Sequence, residues 1–294
     1  MHVPAQAVPA PIQEGVMGAP EASTEMTRID VNAGSQKMVL LAEELFARAG
    51  RQFEEGVKQK ATLLPTKVKI ESWPLPEPLR GYACIPVSPD KDKEANLVLG
   101  LYVAQADGTV EELAFFVNQA GAVNFSEALE LAKSIARSVT PGKRRLEVSA
   151  GERILRGYAS DLVITVPEGF VATEQQGTDF LVHHLRKITE FTDPPEDIGI
   201  YMGDAPSRNG ESAKENGTGN LLGQTAQWYE EEVDLDGRKG LFDRALIRIG
   251  SWPSTGNPPT YIDVFLQAGD ATEIQELKKV AATLRFLNPD KPTH

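Results

Sequence analysis

Cysteine is nearly missing. The 294-residue chain has only Cys84, so neither an intrachain disulfide nor a thiolate zinc cluster can form. Histidine is almost as scarce: His2, His183, His184 and His294 are all there is. No apolar run reaches the roughly 18 residues of a membrane-spanning helix, so no span is expected. Positive charge is also short. Lys and Arg number 30 against 42 Asp and Glu, a net charge of −12. Such a chain repels phosphate, which argues against nucleic acid or an anionic bilayer as partner. No Gly-x-Ser-x-Gly elbow, Walker loop or His-Glu-x-x-His is present. What remains is ordinary globular material, 41% hydrophobic and 24% charged. That excludes full disorder, collagen and coiled coil.

The acidity is uneven. Residues 1–148 hold 16 basic and 19 acidic side chains, net −3, while residues 149–294 hold 14 and 23, net −9. The second half is therefore the part expected to meet a basic partner.

The first 26 residues contain four prolines and no apolar periodicity. They predict a disordered leader over residues 1–28. They lack the basic start and apolar core of a signal peptide. The expected compartment is the periplasm if an upstream signal is removed, and the cytoplasm otherwise.

Residues 35–49 predict a helix, because Met38, Leu41, Ala42, Leu45, Phe46 and Ala49 share one helical face. Lys67–Glu71 and Tyr82–Val87 read as strands separated by the proline run Trp73–Pro78. Leu97–Ala104 and Val110–Val117 read as a hairpin turning at Asp107-Gly108. A helix follows, capped by Asn124 with Glu127 three residues on, and stopped at Thr140-Pro141-Gly142. Residues 143–157 form the expected connector. Six strands then fit Leu162–Val166, Phe180–Ile188, Ile198–Met202, Gln224–Val233, Leu241–Ile249 and Tyr261–Gln267. A last helix opens at Asp270-x-x-Glu273.

The halves rhyme. Gln119-Ala120-Gly121 and Gln267-Ala268-Gly269 each follow a strand and precede an Asx-x-x-Glu helix start. A proline stop closes each helix. The pattern predicts an α+β fold of two tandem units, each a bent antiparallel sheet against a C-terminal helix. The expected units are residues 29–145 and 153–290.

The second unit has Val166-Pro167-Glu168-Gly169-Phe170, then Gly177-x-Asp179-Phe180, then Trp228-Tyr229 after a Gly-rich loop. It closes with Leu277-Lys278-Lys279-Val280-Ala281-Ala282-Thr283-Leu284. Over residues 158–288 this order resembles the PsbP/DcrB-like superfamily of small α/β sandwiches. The resemblance implies a binding or accessory role, such as a bacterial secretion-system immunity or adaptor protein. It names no ligand.

His183 and His184 are neighbours in a strand, so they point to opposite faces and chelate one metal poorly. One buried and one exposed histidine are expected, with Asp179 nearby. Cys84, inside Tyr82–Ile85, reads as an inert core thiol. The Gly-rich segment 216–223 reads as a flexible loop, and Asp234-x-Asp236-Gly237 as a hairpin turn without the glutamate of a calcium loop. No catalytic residue, metal site or cofactor is expected. Trp228, Tyr229, Glu230, Glu232, Asp204 and Trp252 are the expected partner-binding residues, aromatic anchors within an acidic rim that the loop 189–197 would extend. In a strand Glu230 and Glu232 share one face, and Tyr229 and Glu231 the other. The function expected is non-enzymatic protein binding. The alternatives are a small-ligand carrier using a cleft between the units, or an enzyme built on paired carboxylates.

Overall fold

A computed structural model describes residues 8–10, 26–33, 36–64, 66–88, 95–118, 124–142, 148–157, 161–177, 180–206, 210, 212–235, 237–251 and 259–287. Two compact units make up the chain. The first comprises Met1–Arg145 with Glu190–Thr192, the second Leu146–Thr189 with Asp193–His294.

The first unit contains β1 (Val8–Ala10), β2 (Met26–Ala33), β3 (Gln36–Arg48), α1 (Phe53–Leu63), β4 (Val68–Trp73), β5 (Arg80–Pro86), β6 (Ala95–Ala104), β7 (Thr109–Asn118) and α2 (Phe125–Arg137). Its strands lie in the order β1-β2-β3-β7-β6-β5-β4. Asn124 caps α2, accepting from the amides of Ser126 and Glu127. Leu40, Leu99, Leu101 and Phe115 form the core under Ala128, Ala132 and Ile135 of α2. A second cluster joins Phe53 and Val57 of α1 to Cys84, Tyr102 and Phe191.

The helix expected over 35–49 is instead β3. Its apolar residues fit a helical face, but they are also dense enough for a strand buried between neighbours. Met38 and Leu40 are buried, and the strand pairs with β2 on one side and β7 on the other. Two ladders outweigh the local preference. Near its end the ladder to β7 shifts between Glu44 and Arg48, and Phe46 takes φ 49°. The true helix begins later, at Phe53.

The second unit contains β8 (Gly151–Leu155), β9 (Leu162–Val166), β10 (Phe170–Gln176), β11 (Phe180–Lys187), β12 (Thr189–Glu190, spanning the unit boundary), β13 (Glu196–Gly203), β14 (Lys214–Leu221), β15 (Gln224–Leu235), β16 (Arg238–Ser251), β17 (Pro259–Ala268), α3 (Ala271–Ala281) and β18 (Arg285–Phe286). The large sheet runs β10-β11-β13-β17-β16-β15-β14, and a small sheet runs β18-β9-β8. Asp270 and Glu273 complete a capping box on α3. Ile274, Leu277 and Ala281 of α3 pack with Ile198, Ile200, Val264 and Leu266 of the sheet and Leu162 and Ile164 of β9.

Strand order is the same in both large sheets. Numbered from the first strand of each, it is first, second, third, seventh, sixth, fifth, fourth. A helix follows the seventh strand in both. A balanced α+β fold is not what forms, however. Among the described residues three helices accompany eighteen strands in antiparallel sheets, so the chain is mostly β. The helix-like spacing over 35–49 belongs to strand β3, β8 lies in the expected connector, most of β14 in the expected loop, and β10 in a stretch given no element by the sequence. The segment 216–223 falls in β14 and the two-residue turn Leu222-Gly223, with φ values of 52° and 75° suited to a tight hairpin. Gln119-Ala120-Gly121 and the leader, apart from Val8–Ala10 and Met26–Arg28, lie outside the described residues.

Candidate functional site

The β14–β15–β16 end of the second unit holds most of the expected binding residues. Alternation places Trp228, Glu230 and Glu232 on the α3 side, with Asp243 and Ala245 of β16 directly across. Tyr229 and Glu231 face the other way, beside Arg244 and Phe242.

On the α3 side a polar cluster sits at the core's edge. Asp243 is fully buried, and Lys278 Nζ from α3 lies 2.5 Å from its Oδ2. Lys278 also stands 5.1 Å from the centre of the Trp228 ring, an ammonium over an aromatic face. Asn216 Nδ2 donates to Glu230 Oε2 at 2.9 Å and approaches both Asp243 oxygens, at 3.3 and 3.1 Å. A one-residue bulge between Glu215 and Thr218 lies where Asn216 leaves the ladder, and Gly217 there has φ 79°. Burial raises the Glu230 carboxyl above its ordinary range, the Asp243 charge adds to this, and Lys278 opposes it.

Trp228 is therefore a core residue, 2% exposed, and forms the floor of this cluster. Tyr229 and Glu230 are half-buried, and Glu232 is exposed, 3.7 Å from Lys239. Asp204 is exposed just beyond β13, at the opposite end of the sheet: Gly203 aligns with Tyr261 and Arg248, whereas Glu232 aligns with Leu241 and Ala268. The structure does not bring Asp204 to the Glu230 group. Of the loop 189–197, Asp193 reaches the hairpin end, where its carbonyl accepts from Arg238 at 2.8 Å. Trp252 and Asp179 lie outside the described residues.

Both histidines are buried at 3%, which corrects the expectation of one exposed ring. His183 Nε2 donates to the Arg156 carbonyl at 2.7 Å, with Glu174 3.8 Å from its Nδ1. Burial lowers its pKa first and foremost. His184 Nδ1 lies 2.7 Å from Asp197 Oδ2 on the opposite face. Arg244 and Asp263 form a buried ion pair on that same face. Cys84 is buried, and desolvation pushes its thiol up to about 12. Gly237 N donates to Asp234 Oδ1 at 2.7 Å, as a hairpin turn requires.

Asn216, Asp243 and Lys278 were not among the expected residues, although two of them leave a sequence signal. Asp243 occupies the core parity of Leu241-x-Asp243-x-Ala245-x-Ile247. Lys278 adjoins the stripe Ile274, Leu277 and Ala281. A charge at each such position marks a buried partner. Among the described residues, no group of three or more His, Cys, Asp or Glu side chains is placed to hold a metal ion. No helix there is long and apolar enough to cross a membrane.

No family model matches the chain, and no curated protein matches it. The PsbP/DcrB-like resemblance thus has no support from either comparison. Among solved structures the chain is similar to a chain from the crystal structure of the Tle4–Tli4 complex. Identity is 10% and the TM-score 0.25, over 88% of this chain and 94% of that one. At that TM-score the likeness carries no conclusion about fold or function.

Proposed function

We propose that the chain is a non-enzymatic protein-binding or accessory protein, of the immunity or adaptor kind, whose second unit docks a basic partner. The shared strand order supports reading the two units as tandem copies of one sheet-and-helix design, with the PsbP/DcrB-like resemblance attached to the second.

One observation carries the proposal: how the second unit spends its charges. Arg244 and Lys278 are held by buried Asp263 and Asp243, and Lys187 is held by Glu196. Arg285 and Lys279 lie against Glu152 and Glu276. Among the described residues of the unit ten carboxylates are exposed, Asp193, Asp204, Glu215 and Asp234 among them, against six exposed cations, Arg156, Lys214, Lys239, Arg248, Lys279 and Arg285. The exposed carboxylates outnumber the exposed cations, so the surface attracts positive charge. Capture experiments from the source organism's lysate test this, with the full chain as bait at low and high salt. A protein retained at low salt and released at high salt is expected. Finding no salt-sensitive partner would sink the proposal.

A second reading, acid–base chemistry, is favoured by the convergence of Glu230 and Asp243 on Asn216. A hydrolase screen comparing wild type with Glu230→Gln separates the two readings. Activity lost in the variant would favour the enzyme.

A further inference from the structure

The β14–β15–β16 ribbon shows two chemically different faces. On the α3 side, Asp243, Glu230, Asn216 and Lys278 satisfy one another, and Trp228 is sealed beneath them. That face has its cation already. On the other side, Tyr229 is half-buried and Leu246, two residues beyond Arg244 on the same face, is 46% exposed. Glu215 pairs directly with Tyr229 across β14 and is exposed. Glu231 lies two residues along from Tyr229 and accepts from Ser212 Oγ at 3.2 Å. The nearest cation on that face, Arg244, is tied to Asp263. Arg248, exposed, lies beyond Leu246.

We propose that this outward face docks a basic protein segment, Tyr229 and Leu246 meeting an apolar side chain while Glu215 and Glu231 meet flanking lysines or arginines. The inference rests on the protein-binding reading above and says where on the second unit the contact is made. An aromatic and an aliphatic side chain bordered by carboxylates is the arrangement of an interface core with a polar rim. Charge complementarity selects the occupant. A neutral or acidic segment would desolvate the Glu215 and Glu231 charges without supplying a cation, whereas a basic one pairs them. The polar cluster on the opposite face ties β14, β15 and β16 to α3, which lowers the ordering cost of docking on the outward face.

The test uses the 15N-labelled full chain and the synthetic peptide Lys-Lys-Leu-Lys-Lys-Tyr as probe. Amide shifts are followed at low salt and again at about 0.3 M salt, where exposed charges are largely screened. Shifts centred on Glu215, Tyr229, Glu231 and Leu246, weakened by salt, are expected. Tyr229→Ala and Leu246→Lys should each weaken the peptide about tenfold, the size of one lost interface contact of ~1.4 kcal/mol. Leu246→Lys, at an exposed position, should keep the wild-type melting temperature and tests the face even if Tyr229→Ala does not fold. Shifts centred on Glu230 and Glu232 would overturn this face. So would lysate capture undiminished in Leu246→Lys, which would leave the wider protein-binding reading standing. Concentration-dependent dimerisation abolished by Leu246→Lys would assign the face to a second copy and overturn the proposal. Wild-type chain that captures nothing at low salt would overturn the wider reading itself.

Discussion

The ring of Phe265 lies across Gly199. The two residues are paired on β17 and β13, and a Cβ on Gly199 would fall within the ring. The aromatic covers the bare glycine backbone and completes a row with His184, whose ring meets Phe265 edge-on at 5.7 Å, and Phe242, which stacks at 5.9 Å. Gly199→Ala is therefore an overpacking change rather than a helpful loss of chain entropy. It should destabilise the fold by about 1–3 kcal/mol. A lowered urea midpoint with unchanged slope checks it, and an unchanged midpoint would contradict the packing described.

Breaking the buried pair from one side should be costly. Lys278→Met leaves Asp243 fully buried without its cation, which costs about 3–5 kcal/mol in comparable pairs. Lys278→Met with Asp243→Leu removes both charges and should recover most of that loss. A thermal unfolding cycle of the wild type, two single variants and the double decides it. A double variant as unstable as the worse single would show that the pair itself is not the cause.

Acidification should act through His183. Burial depresses its pKa, opposed by its bond to the Arg156 carbonyl and by the Glu174 charge, while the charges of His184 and Arg156 lower it further. Below about pH 6.5 the unfolded chain binds a proton that the folded chain resists, so stability falls as pH drops through that window. Glu230 has the opposite sign, since its raised pKa adds stability at low pH that is lost as pH rises through the folded value. In a Glu230→Gln background, His183→Gln should flatten the slope below about pH 6.5. A slope that persists would place the proton uptake elsewhere.

Cys84 should be silent toward thiol reagents. With its thiol pushed up to about 12 inside the core, hardly any thiolate exists at neutral pH. A chromogenic disulfide is expected to react only after denaturant is added. Rapid labelling of the native protein would show that the site opens.

Much of the second unit was legible because its strands alternate and its turns carry Asp-Gly and capping residues. Leu162–Val166, Gln224–Val233 and Tyr261–Gln267 fall inside β9, β15 and β17. Asp270-x-x-Glu273 forms the capping box it spells. The first unit was harder. Gln36–Arg48 has helix-like spacing, and only the ladders from β2 and β7, distant in sequence, make it a strand. Lys214–Leu221 holds two glycines and no apolar alternation, so its place at the sheet edge comes from pairing with β15 alone. The faces of β15 followed directly from alternation. Which face was saturated did not, because Lys278 arrives from a helix some 35 residues beyond Asp243.

The turn at Leu222-Gly223 has a consequence for insertions. An extra residue in that turn changes the register between β14 and β15, and β14, the edge strand paired with β15 alone, is the one that gives. Asn216 would be carried off Glu230 and Asp243, and Glu215 off Tyr229, while β15 stays in register with β16. The hairpin's two-residue length thus fixes which β14 side chains complete each side of the ribbon.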